Sequence, residues 1–133
     1  MKEELEYSLK RFKDAFVKLK EGSVRAKLEL EIDGVIQRFE FTFELLWKTL
    51  RIFLKEQGVD VKTPKDCLKE AFRLGWLKEE QIFIQMLEDR NETSHVYEEK
   101  KAREIFARIK SQYVALIGSV VEDLVQRLKK IKY

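Results

Sequence analysis

With 133 residues, 44% of them hydrophobic, the chain can bury one real core but has little length for a second domain. Charged residues make up 38%, above the roughly 25% usual for soluble domains, yet 27 bases stand among 24 acids, so a net charge of +3 permits an anionic partner without demanding one. A single cysteine (Cys67) and a single histidine (His95) exclude an intrachain disulfide and a structural zinc site, which takes about four such ligands.

The opening MKEELEYSLKRF is charged from the start and does not read as a secretory signal. No uncharged run approaches the ~18 residues of a membrane span. A cytoplasmic protein of one domain over residues 1–133 is expected. No Gly-rich phosphate loop is present, and no motif calls for a metal or a cofactor.

Taken in chain order, Leu5, Leu9, Phe12, Phe16 and Leu19 step by three and four and predict a helix over about 3–20, which EGS at 21–23 should break. A second helix begins between 24 and 32. Ile32, Val35, Ile36, Phe39, Phe43, Leu46, Trp47, Leu50 and Phe53 form its inward stripe, and Gly58 ends it. VDVKTPKD is a loop in which Thr63, Pro64 and Asp66 read as N-cap, first-turn proline and first-turn acid of a short helix over 64–73. Leu74-Gly75 stops it. A fourth helix covers about 78–95, and a last long one about 99–131, with Ile105, Phe106, Ile109, Tyr113, Leu116, Ile117, Val120, Leu124 and Leu128 inward. No strand pattern survives, so the expected fold is all-α: an up-and-down antiparallel bundle of four main helices and a short one.

Two stretches carry residues beyond core packing. In DGVIQRFEFTFELLWKTL, Arg38, Glu44 and Lys48 are long charged groups among apolar neighbours, Trp47 lies beside them, and Phe41 falls off the main stripe. A helix apolar on more than one face has either a thick core or a second burial surface, such as a dimer interface. In MLEDRNETSHVYEEK, the buried line Phe83, Met86, Leu87 continues onto Arg90, Ser94 and Tyr97, with His95 beside it. At about 100° per residue, Arg90 and Tyr97 share a line, as do Asn91 and His95, whereas Arg90 and His95 stand about 140° apart. They could meet if the helix loosens near Ser94, or if two chains each supply one of the pair.

Two readings of that stretch stay open. In one, His95 is a charge–dipole partner at a helix C-terminus and Arg90 pairs with Glu44 or another acid across the bundle. In the other, His95 exchanges protons near neutral pH and Arg90 holds a phosphate or stabilises a charged transition state. Metal-free RNA cleavage needs these roles and works best with one base and one acid, so a symmetric dimer is the simplest way for a chain with one histidine to supply both.

RNETSHVY matches the R-x-x-x-x-H-x-Y pattern of HEPN domains, which are small all-helical proteins. DGVIQRFEFTFELLWKTL, TPKDCLKEAFRLGWL and MLEDRNETSHVYEEKKAREIF, in this order and within about residues 5–125, resemble the nucleotidyltransferase substrate-binding branch. The resemblance implies a HEPN-like bundle, a homodimer, and a cognate minimal nucleotidyltransferase as partner. It implies either a toxin, acting on RNA as a metal-independent ribonuclease until its partner adenylylates the motif tyrosine, or a non-catalytic substrate-binding subunit of that partner. Carried over by position, Arg90 and His95 would be catalytic, Tyr97 modified, and Asn91 a polar helper, with Ser94 supporting. Gly22-Ser23 followed by Glu31-x-Asp33 imitates the G-S…D-x-D motif of nucleotidyltransferases themselves, but the spacing is short and the strands that carry those carboxylates are missing. The basic tail RLKKIKY reads as a solvated, fraying helix end rather than an RNA contact.

Overall fold

The computed structural model describes residues 1–93 and 98–131. Helix α1 spans Lys2–Arg25, α2 Glu29–Glu56, the short α3 Pro64–Arg73 and α4 Glu80–Thr93. The last long helix has three parts: α5 (Glu99–Arg108), a π segment (Ile109–Tyr113) and α6 (Val114–Lys130). They form an all-helical, up-and-down bundle with no strand among the described residues. α2 is its axis and packs against α1, α3, α4 and α5, while α1 also packs on α6.

The expected stripes supply most of the core, with Phe16, Leu87, Phe106, Leu116 and Leu128 only partly buried against it. Leu5, Leu9, Phe12 and Leu19 of α1 are buried, and so are all nine stripe residues predicted for α2. The predicted break at 21–23 is wrong. α1 continues to Arg25, and the Ser23 hydroxyl is accommodated within it by donating back to the Lys20 carbonyl at 2.8 Å. The chain turns at Ala26–Leu28 instead, where the Glu31 carboxylate accepts from the backbone N–H groups of Leu28 and Lys27 and starts α2. Gly22 suits that helical stretch because a side chain there would meet Arg38 and Val35 of α2.

The α3 signals act as read. The Thr63 hydroxyl accepts from the Asp66 N–H at 3.1 Å, Pro64 opens the helix, and Gly75 closes it at φ +77°. Cys67 lies under α2, its thiol donating to the Trp47 carbonyl at 3.3 Å. Burial pushes that thiol up to about 12, so it offers about 10³-fold less thiolate than a free cysteine. A thiol-specific chromogenic reagent should therefore label Cys67 rapidly only after denaturation, and equal rates in native and urea-treated protein would refute this.

The π segment resolves a spacing problem in the sequence. Ile105, Ile109, Tyr113 and Ile117 are fully buried at intervals of four, which in an unbroken α-helix would drift by about 120° over three steps. One wider turn absorbs the drift and keeps the four on one face.

Candidate functional site

The site forms where α4 ends against α2. Phe83 and Met86 bury α4's inner face, and Asp89 takes the next inward position with 1% exposure. Arg90, one residue on and about 100° around the helix, is half-buried and turns toward α2. Its Nη2 donates to Glu44 Oε2 and its Nη1 donates to Asn91 Oδ1 at 3.2 Å. Glu44 also accepts from Trp47 Nε1 at 3.2 Å and pairs with Lys48 Nζ at 3.2 Å. Partial burial works against the Glu44 carboxylate, but these two hydrogen bonds and the charge of Arg90 outweigh it and hold the group below the usual carboxylate range.

Beside this cluster opens a groove of about 550 Å³ lined by Gln37, Glu40, Phe41, Glu44, Arg90 and Asn91. It places a fork of guanidinium donors and an amide next to an exposed aromatic ring, a set able to hold a phosphate with an attached base. Glu44 already occupies part of that fork, so an incoming anion must share Arg90 or displace the carboxylate.

The other expected site residues divide. Lys48 is exposed and joins through Glu44, whereas Trp47 is buried and reaches the cluster only through its indole N–H. Arg38 is not brought to Arg90. It lies on the other side of Phe41, donates from Nη1 to the Lys18 carbonyl at 2.7 Å, and lines a separate groove with Arg11, Asp14, Ala15 and Lys18. Phe41 stands between the two grooves and is 54% exposed. Ser94, His95 and Tyr97 lie outside the described residues.

Sequence reasoning missed the cluster behind Arg90. Asp89 accepts from Arg108 Nε and Nη2, both at 2.8 Å, from the Tyr113 hydroxyl at 2.5 Å, and from Gln85 Nε2 at 3.2 Å. Burial, reinforced by Asp89, pushes the Tyr113 hydroxyl well above the usual phenol range. The hydrogen bond to Asp89 keeps Arg108 protonated far beyond neutral pH. One signal was available: Tyr113 carries the one polar group in an otherwise apolar stripe, and a buried tyrosine hydroxyl needs a partner. Among the described residues no group of His, Cys, Asp or Glu could hold a metal ion, and no helix is long and apolar enough to cross a membrane.

Residues 3–126 match the family described as "Nucleotidyltransferase substrate binding protein like". Over 101 residues the chain is 32% identical to a Haemophilus influenzae protein named "Probable ribonuclease HepT", covering 72% of this chain and 68% of that one. A crystal structure of a protein from Thermus thermophilus is similar with a TM-score of 0.76 and 33% identity, covering 90% of this chain and 99% of that chain.

Proposed function

The chain belongs to the nucleotidyltransferase substrate binding protein family and is HEPN-like, and we propose that it is the helical partner of a minimal nucleotidyltransferase in a two-gene toxin–antitoxin-type module. It acts as a metal-independent endoribonuclease, and its partner silences it by adenylylating Tyr97. The observation that carries this reading is the placement of Arg90 and Asn91 at the mouth of a groove, immediately before the segment that holds His95 and Tyr97. The name of the Haemophilus relative supports the same activity.

In the cleavage step His95 takes the proton from a ribose 2′-OH, and that oxygen attacks the adjacent phosphorus. Arg90 neutralises the crowded phosphorane. The 5′-oxygen leaves with a proton from the partner subunit's His95, giving a 2′,3′-cyclic phosphate and a 5′-OH. A homodimer supplies the second histidine, and the exposed Phe41 beside the groove supports an association of two copies there. In the silencing step the Tyr97 phenolic oxygen attacks the α-phosphorus of ATP, pyrophosphate leaves, and the phenolic proton passes to solvent. The resulting anion excludes RNA by bulk and by charge.

Intact-mass spectrometry tests this after incubation with the neighbouring nucleotidyltransferase, Mg²⁺ and ATP. A gain of whole adenylates, lost in Tyr97→Phe, is expected. A stable complex with no mass gain would replace this reading with the non-catalytic substrate-binding subunit. One observation favours that second reading: Glu44 already neutralises Arg90, leaving less charge for a phosphorane. A groove that only binds tolerates His95→Gln, whereas a catalytic one does not.

A further inference from the structure

Asp89 is the one buried charged residue among those described. Burying a carboxylate with a guanidinium costs desolvation that the pair only partly returns, and apolar side chains of similar volume would often serve stability as well. The arrangement therefore asks for a use beyond packing. Its donors come from three places: Gln85 within α4, Arg108 at the end of α5, and Tyr113 at the end of the π segment. The two-pronged grip of Arg108 sets the plane of the carboxylate. The π turn keeps Tyr113 facing inward, stacked on Phe39 of α2 at a ring-centroid distance of 5.4 Å. Such turns recur at functional sites.

What this cluster holds is the last turn of α4. Asp89 ties that turn to the C-terminal helix, and its neighbour Arg90 ties it to Glu44 on α2. A small rotation or slide of α4 would break both contacts together. We propose that Asp89, Arg108 and Tyr113 are positioning residues that fix the direction in which Arg90 enters the groove, so that its guanidinium is presented to a phosphate in one orientation. The proposal rests on the reading of Arg90 as an anion-binding group. None of the three touches the substrate. They act through the backbone turn that Asp89 and Arg90 share.

The test reads Arg90 itself. In a ¹⁵N-labelled full-length protein the Arg90 Nε–Hε cross-peak is assigned by its loss in Arg90→Lys, and inorganic phosphate is titrated in. Tyr113→Phe and Asp89→Asn should each displace this cross-peak in the folded protein and weaken its response to phosphate by roughly three- to tenfold, the worth of one hydrogen bond. Thr49→Val serves as a control for lost stability alone, because it removes the Ser8–Thr49 hydrogen bond of 2.7 Å between α1 and α2. It should leave the cross-peak in place. An unmoved cross-peak in folded Tyr113→Phe, or equal displacement in Thr49→Val, would overturn the positioning role while Arg90 still answers to phosphate. A parent protein whose Arg90 ignores phosphate would overturn the anion-binding reading and the proposal with it. Tyr113→Phe removes one oxygen and keeps the ring, so it decides the matter even if Asp89→Asn fails to fold.

Discussion

If the chain is the ribonuclease proposed above, Arg90→Ala is expected to lower RNA cleavage by about 10²–10³-fold, the usual loss when a donor to a transition-state oxyanion is removed. The effect on stability is small by comparison. Arg90 and Glu44 keep 34% and 29% of their side-chain surface exposed, and an ion pair so open to solvent is worth on the order of 1 kcal/mol. Arg90→Lys keeps the charge but loses the planar fork, so it should fall between parent and alanine variant. Single-turnover cleavage of a labelled oligonucleotide, run beside a denaturation curve for each variant, separates the two effects. Cleavage by Arg90→Ala at the parental rate would remove Arg90 from the chemistry, and cleavage by His95→Ala at that rate would overturn the proposed mechanism.

Most of the fold could be read from periodicity because apolar spacing in a bundle reports directly which face is inward. The α2 stripe from Ile32 to Phe53 is buried as predicted, and Thr63, Pro64 and Gly75 bracket α3 through local backbone chemistry that any context would preserve. The break assigned to EGS failed because a serine hydroxyl bonding back within a helix and a glycine under a neighbouring helix look like a turn in sequence. What distinguishes them is tertiary contact with Arg38 and Val35.

The candidate site was legible in part for the same reason. A buried line running onto Arg90 marked the end of α4 as unusual, and pairing with Glu44 was one of the two readings open for it. The position of Asp89 could not be read that way. It required knowing that α4 turns its 83–86–89 edge inward, and that a π turn some twenty residues later carries Tyr113 to the same point. Arg38 shows the converse limit. Six residues from Glu44 on a rich stretch of α2, it was grouped with the groove by proximity in sequence. About 600° of helix rotation instead sends it to the α1 side of Phe41.

Asp89→Ala destabilises the fold by about 3 kcal/mol, because removing one partner of a buried charged network leaves the others without their acceptor. The Tyr113 hydroxyl, in a fully buried residue, loses its only acceptor in the cluster, and Gln85 loses its own. Arg108 loses both of its bonds to Asp89, but 31% of its side chain reaches solvent, so water recovers part of that loss. Asp89→Asn keeps the shape and one acceptor oxygen and should cost less than alanine. The double replacement Asp89→Leu with Arg108→Met removes charge from both sides and should regain much of the alanine loss, leaving the Tyr113 hydroxyl and the Gln85 amide without their acceptor. Urea unfolding followed by far-ultraviolet circular dichroism measures each value. A cost under about 1 kcal/mol for Asp89→Ala would mean that water takes the place of the carboxylate, and that the network contributes little to holding α4 against the C-terminal helix. A double variant no more stable than Asp89→Ala would mean that the surrounding core is shaped for the ion pair itself rather than for any side chains of that volume.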